Sequence, residues 1–212
     1  MKFMNKIYVL IFLSCNFVCF SQNETAKDSI FKQNIVEIVE EIKFMFDYDQ
    51  AIRNYTLYKT FDKSKIDSIQ KLNYEITLKF ISDNNFKSDS LALKILNNYI
   101  IFFDNIHTER LISITKKYGY PSLKRIKKYY SAKLNSELNP YLIFVHSQKK
   151  YWSEIESLMK TEYENGNFNK CSYGHFLWHI NGRGNVKYML ENGYKYIMNK
   201  QGQNVLTAVN CE

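Results

Sequence analysis

Apolar residues recur at helical spacing along most of the chain and predict a mainly α-helical protein. The first predicted helix begins near Asp28 and runs past Arg53. Its apolar stripe consists of residues that follow one another at alternating intervals of four and three: Phe31, Ile35, Ile38, Ile42 and Met45. This spacing places them on one face of a helix, where they can be buried together.

The same periodicity predicts two further helices before residue 104. Ser64 is expected to cap a helix that continues to Phe80, and polar residues at 83–88 then break it. Asp89 or Ser90 is expected to cap the next helix. The apolar residues of that helix are Leu93, Leu96, Ile100 and Phe103.

Proline and glycine mark the next boundaries. A helix over residues 106–118 is expected to stop at Gly119 and Pro121. Pro140 suits the first turn of a helix, and the apolar run 141–145 that follows it predicts a short buried helix.

The C-terminal part combines two helices with a hairpin. After a helix over 151–163, the segment that follows Cys171 divides into two faces. The expected core face holds Tyr173, Phe176, Leu177 and Ile180, and the opposite face holds Cys171, His175, Trp178 and His179. Alternating residues at 194–198 and 205–209, around Gly202, predict a small β-hairpin.

The composition agrees with a helical fold. Only 7 Gly and 2 Pro occur among 212 residues, which is too little turn chemistry for a sandwich, a propeller or a Rossmann-type fold. The sequence contains no repeat and no linker. We therefore expect a mainly α, single-domain helical bundle over residues 22–212 with a small C-terminal β-hairpin.

The N-terminus predicts export. Lys2 and Lys6 precede an apolar stretch at 7–20, which is short for a membrane span and typical of a signal peptide. Small residues before Gln22 favour cleavage there, which makes residues 1–21 the signal peptide and the protein periplasmic or secreted. The ending at Phe20–Gln22 resembles signal peptides of the Bacteroidetes group. In the alternative, Cys15 is a lipidated cysteine that anchors the protein to a membrane.

Cleavage before Gln22 would leave two cysteines, Cys171 and Cys211. In an oxidising compartment these two can form a disulfide, although sequence alone does not show that they lie close together. One pair is not a disulfide framework, so the fold depends on a hydrophobic core.

A formal net charge of +8 raises the question of nucleic-acid binding. Only 4 of the 29 cationic residues are Arg, and the Lys residues are spread along the chain. Base recognition and bidentate phosphate binding favour Arg, so composition argues against nucleic acid as the partner.

Four short blocks follow one another along the chain. They are Asp49-Gln50 with Arg53, Tyr118-Gly119-Tyr120-Pro121, Leu142-Ile143 leading to His146, and a late helix ending in Arg183. Together they resemble an uncharacterised bacterial domain-of-unknown-function family, which has Asp-Gln-x-x-Arg, Tyr-Gly-Trp-Pro and Gln-His-Ala-Asp blocks in this order. The similarity covers about residues 40–185, and it departs at Val145, Gln148 and Gly182, where the family has Gln, Asp and Asp. The resemblance implies relatedness and no particular reaction.

The clearest candidate chemistry is a polar cluster of Asp49, Arg53 and His146. Asp49 and Arg53 are four residues apart on a predicted helix, close enough for an ion pair. In a functional cluster, Asp49 is an acid or base, Arg53 holds an anion, and His146 faces both. In the alternative, the pair is structural and His146 is a hydrogen-bonded boundary residue. The candidate binding residues are Gln50, Tyr118, Tyr120 and Arg183.

The helix after Cys171 carries a candidate metal site. Cys171, His175 and His179 are spaced four apart, so two of them can share an ion. All three span about 12 Å of helix rise, which is too far for one ion. The spacing therefore favours a structural role for these side chains and no bound cofactor, with zinc as the alternative.

Two hypotheses about function follow. The first is an exported α-helical binding or interaction module whose partner is an unknown protein or a component of the cell envelope. A membrane is a partner only if Cys15 is lipidated. The second is a hydrolase-like enzyme in which Asp49, Arg53 and His146 meet in one cleft, with a metal as a variant.

Overall fold

The computed structural model describes residues 26–134 and 138–211, so the predicted signal peptide and Cys15 lie outside the described residues. Helix α1 covers residues 26–33. The remaining elements are α2 (Ile35–Tyr58), α3 (Lys63–Gln70), α4 (Tyr74–Asp83), α5 (Asp89–Ile95), a π-helical segment (Leu96–Ile101), α6 (Phe102–Tyr118), α7 (Leu123–Tyr129), α8 (Tyr141–Val145), a 3₁₀ turn (Lys149–Tyr151), α9 (Trp152–Glu164), α10 (Lys170–Ile180), α11 (Lys187–Leu190), β1 (Tyr194–Met198) and β2 (Asn204–Ala208). The mainly helical fold with a C-terminal hairpin is confirmed.

Helix α2 supplies much of the core. The predicted stripe is confirmed, since Phe31 of α1 and Ile35, Ile38, Ile42 and Met45 of α2 are all buried. The predicted single helix is interrupted by a turn at Asn34. The helix packs against α6, α7 and α8, and α8 contributes the fully buried Phe144. Because α2, α6 and α8 pack together, polar residues that these helices carry are brought close to one another.

The helices between residues 62 and 101 differ in detail from the prediction. Asp62, not Ser64, caps α3, because its carboxylate accepts hydrogen bonds from the amides of Ser64 and Lys65. The predicted helix to Phe80 is broken, and Asn73 caps a separate α4 through the Ile76 amide. These short side chains satisfy amides that have no partner at a helix start.

The next boundary is also shifted by one residue. Ser88 caps α5 through the Leu91 amide, where Asp89 or Ser90 was expected. Helix α5 contains no buried residue, and Leu93 is 57% exposed. The apolar character of this segment therefore does not mark a core helix.

The turn after α6 is fixed by Arg125. Its guanidinium donates to the carbonyl oxygens of Tyr118, at 2.9 Å, and Tyr120, at 3.0 Å, and it also pairs with Asp28 at 3.0 Å. Gly119 has φ +77°, and a β-carbon there would lie 2.8 Å from the guanidinium. Glycine is therefore required for this close approach, and it ends α6 as predicted.

Helix α10 is less one-sided than predicted. Phe176 is fully buried as expected, but Cys171 and His179 are buried too, although they were assigned to the opposite face. The assignment was wrong for these two because α10 packs against α8, α9 and α11 on different sides.

The C-terminal hairpin is tied to α10. Strands β1 and β2 pair in antiparallel register from Tyr194 with Ala208 to Met198 with Asn204. A disulfide joins Cys171 to Cys211, across a sequence separation of 40 residues. Among the helices of residues 26–134 and 138–211, none has both the length and the apolar character that a membrane span requires.

Candidate functional site

Asp49 and His146 form a hydrogen-bonded pair at the junction of α2 and α8. His146 follows the last residue of α8, and its Nδ1 lies 3.0 Å from each carboxylate oxygen of Asp49. The Asp49 side chain is only 4% exposed, whereas that of His146 is 24% exposed. A buried carboxylate that is hydrogen-bonded to one ring nitrogen fixes the orientation of the imidazole and leaves the other nitrogen available.

Arg53 completes the cluster on the α2 side. Its Nε donates to Asp49 Oδ1 at 2.9 Å, and its Nη2 donates to Asp104 Oδ1 at 2.7 Å. The structure therefore brings Asp49, Arg53 and His146 within hydrogen-bonding reach, which is one of the two conditions of the enzyme hypothesis; the other is a cleft that the three residues share. The hydrogen bonds of Arg53 go to two carboxylates of the chain, so its role here is to position them.

Asp104 was missed by the sequence analysis. It lies in the first turn of α6 and is 8% exposed. The only sequence signal was one acidic residue that follows an apolar run at 100–103. The pattern does not identify Arg53 as the partner of Asp104, because Arg53 is 51 residues away along the chain.

The two carboxylates have opposite pKa shifts. Burial would raise the pKa of Asp49, but the hydrogen bond and charge of His146, together with Arg53, outweigh it and lower the pKa. For Asp104, burial dominates over the attraction of Arg53, and the nearby Asp49 adds repulsion, so its pKa is raised. Asp49 is thus the carboxylate that stays ionised beside the imidazole.

Gln50 connects this cluster to a cavity. Its Nε2 donates to Asp49 Oδ2 at 2.8 Å, and its side chain also lines a cavity of about 420 Å³ between α2, α3 and α8. Leu142 of α8 forms part of the same wall, whereas Asp49, Arg53 and His146 do not line the cavity. The cluster of Asp49, Arg53 and His146 therefore lies beside the cavity, and Gln50 contacts both.

A second histidine cluster lies on α10. Arg183 Nε donates to His179 Nδ1 at 2.8 Å, and His175 Nδ1 lies 2.8 Å from the hydroxyl of Tyr141. Burial and the charge of Arg183 lower the pKa of His179 to about 4. The ring of His179 is therefore neutral at physiological pH. His146 is close enough to contribute to this shift, so the two clusters are neighbours.

Arg183 has an unusual backbone conformation. Its φ is +61°, in the left-handed region that residues other than glycine rarely adopt. The residue is exposed, and its amide donates to the Trp178 carbonyl oxygen at 2.9 Å. This conformation places the guanidinium over α10, where it binds His179.

The structure gives Tyr118, Tyr120 and Cys171, which the sequence proposed as site residues, a role in holding the fold together. Tyr118 and Tyr120 are 8% and 3% exposed, and their carbonyl oxygens hold Arg125. The Cys171 sulfur is bonded to Cys211 and so is no thiolate ligand. Within the described part of the chain, no group of three His, Cys, Asp or Glu side chains is arranged to hold a metal ion.

Comparisons with protein-family models, with curated proteins and with solved structures find no match to this chain. The family resemblance of the short sequence blocks therefore stays a prediction.

Proposed function

We propose that the protein is a hydrolase-type enzyme in which His146 is the general base and Asp49 orients it. The observation that carries the proposal is the contact of His146 Nδ1 with both oxygens of the buried Asp49 carboxylate at 3.0 Å. Among the described residues, none forms a hydrogen bond with the other ring nitrogen of His146, Nε2. An imidazole held in this way can accept a proton at Nε2.

The step is proton transfer coupled to attack by water. His146 takes a proton from water as the water oxygen forms a bond to an electrophilic centre of the substrate. It then gives the proton to the leaving group as the bond to that group breaks. Asp49 stabilises the imidazolium that forms in between. Hydrolysis is favoured because solvent can supply its second reactant, water, to the partly exposed ring of His146.

Arg53 has a positioning role in this scheme. By binding Asp49 and Asp104 together, it holds the Asp49 carboxylate in place and offsets the charge of two buried acids. Gln50 fixes the other Asp49 oxygen. The substrate is expected against the partly exposed ring of His146, next to the cavity that Gln50 and Leu142 line.

The test is hydrolysis of a panel of chromogenic carboxylic esters, amides, phosphate esters and glycosides. For the substrate that is turned over, His146→Asn should reduce kcat by about 10²–10⁴-fold, and Asp49→Asn should also reduce it. Glu37→Gln removes an exposed acid from the same helix and should leave kcat unchanged. Full activity in His146→Asn, or no hydrolysis across the panel, would reject the proposal.

Export is proposed for the whole chain, with cleavage before Gln22. The disulfide between Cys171 and Cys211 supports it, because such bonds persist in oxidising compartments. Intact mass of the protein from its native host tests it. A chain that begins at Gln22 is expected, a lipidated Cys15 would mean a membrane-anchored protein, and an unprocessed Met1 would contradict export.

A binding or interaction module is the second candidate, favoured by one surface. Apolar side chains of α4, α5 and the π-helical segment are exposed: Tyr74 at 76%, Ile76 at 50%, Leu91 at 47%, Leu93 at 57% and Tyr99 at 49%. Large exposed apolar side chains on these consecutive segments are of the kind that interaction sites use. If this surface holds an envelope protein, extracts should contain the chain in a larger assembly that Leu93→Glu reduces to monomer size. Monomer size without the substitution would contradict it.

A further inference from the structure

A polar cavity of about 490 Å³ lies on another part of the surface, where the starts of α7, α8 and α10 meet the end of α9. Its volume is within the range of about 300–1,000 Å³ that small-molecule sites occupy. The lining contains amides, hydroxyls and aromatic rings: Asn139, Asn167, Asn169, Ser122, Ser172, Tyr141, Tyr163 and Phe168. Among the described residues, no acidic side chain lines it.

Two lysines give the cavity a positive charge. Lys124, at the start of α7, and Lys170, at the start of α10, both line it. Within residues 26–134 and 138–211, neither ammonium group forms an ion pair with a carboxylate. The cavity therefore presents two available cations, which attract an anionic ligand.

The cavity wall is fixed before any ligand binds. Glu162 is fully buried, and its Oε2 accepts hydrogen bonds from the Tyr120 amide at 2.7 Å and from Asn167 Nδ2 at 3.0 Å. Its carbonyl oxygen also accepts from the amides of Asn167 and Phe168. These bonds hold the turn between α9 and α10, so binding does not have to order it.

A second cavity, of about 650 Å³, continues the positive surface. It shares Lys124, Gly166 and Asn167 with the first cavity and adds Lys32 and Lys128. Of the described residues that line it, only Asp28 carries a carboxylate, and this group is already bound by Arg125 and Lys128. The combined groove suits a ligand that is longer than one ring and carries repeated negative charges.

We infer that this groove binds an acidic oligosaccharide, with carboxylates at the lysines and sugar rings in the cavity. Sugar hydroxyls donate and accept hydrogen bonds, as do the amide and hydroxyl groups of the lining. The ring of Tyr163, which is only partly buried, supplies flat apolar surface for a sugar face. A peptide would instead use a sheet edge or an apolar groove, and neither of these lines the cavity.

The inference is tested by calorimetric titration of the full chain with oligosaccharides of galacturonate, glucuronate and sialic acid. Methyl esters of the same sugars are the neutral controls. We expect at least one acid form to bind, and its ester to bind about three- to tenfold more weakly or not at all. Lys124→Gln and Lys170→Gln should each cause a similar loss. Lys160→Gln, an exposed α9 lysine outside the cavity, should bind normally.

The inference would be overturned by no binding of any acidic sugar, by equal binding of the esters, or by an equal loss in Lys160→Gln. Hexaglutamate and a short single-stranded DNA are tested alongside. If either binds as tightly, with the same lysine dependence, the groove recognises charge and not a carbohydrate. His146→Asn should keep sugar binding, so failure of the proposed hydrolase does not affect this test.

Discussion

The buried ion-pair network predicts that Arg53→Met destabilises the fold strongly. The variant keeps most of the apolar stem and removes the guanidinium that binds Asp49 at 2.9 Å and Asp104 at 2.7 Å. Asp104 then has no other hydrogen-bond or ion-pair partner among the described residues. Hydrogen bonds to charged groups contribute about 1.5–3 kcal/mol each. Because the Arg53 side chain is 29% exposed, we expect a total loss of about 2–4 kcal/mol.

The matched control is Arg110→Met. Arg110 also joins α6 to α2, through two bonds to Glu41 at 2.5 and 2.7 Å, but the two side chains are 47% and 37% exposed. An exposed pair contributes about 0–1 kcal/mol. Thermal unfolding should therefore show a drop in Tm of roughly 5–15 °C for Arg53→Met, and of only about 0–4 °C for Arg110→Met.

The Arg53→Met defect should also depend on pH. Burial raises the pKa of Asp104, and removal of Arg53 raises it further. The defect is then largest at neutral pH, where Asp104 is ionised, and decreases as the pH falls and Asp104 becomes protonated. Equal losses in the two variants, or a defect that is the same at pH 7 and pH 4, would refute the reasoning.

Three further predictions concern backbone, disulfide and pH. Gly193→Ala, where a β-carbon would lie 2.0 Å from a carbonyl oxygen, should lower Tm by far more than Gly182→Ala, which has a similar φ and open space; equal shifts would contradict the contact. Reduction of the bond between Cys171 and Cys211, which spans 40 residues, should cost about 4 kcal/mol in denaturant unfolding, and an unchanged midpoint would show that the link is dispensable. Asp49 has a lowered pKa, so its stabilisation is present above its ordinary value of 3.8 and is lost as the pH falls through the folded value. Asp49→Asn should remove this part of the acid dependence of stability, and an identical acid dependence in wild type and variant would contradict it.

Local patterns in the sequence predict the helices that are buried on one face. The stripe from Phe31 to Met45 repeats at helical spacing and is buried along its whole length. The pattern fails in α10, where Cys171 and His179 are buried on the side opposite to the expected core. A helix enclosed by several neighbours has no single polar face, and its neighbours are not visible in a local pattern.

Only part of the candidate site is formed by residues that are close together in the sequence. Asp49 and Arg53 are four residues apart, so their ion pair follows from helix geometry. His146 and Asp49 are 97 residues apart, and their contact depends on how α8 packs on α2. The buried acids Asp104 and Glu162 were missed for the same reason, because their partners belong to other helices or turns.

The central claim is that Asp49 holds Nδ1 of His146 and leaves Nε2 as the base. Nitrogen-15 NMR of the imidazole, recorded at a pH where the ring is neutral, measures this directly. The predicted result is a proton on Nδ1 and none on Nε2, with the preference lost in Asp49→Asn. A ring that carries its proton on Nε2 in the wild-type protein would contradict the proposed role of His146.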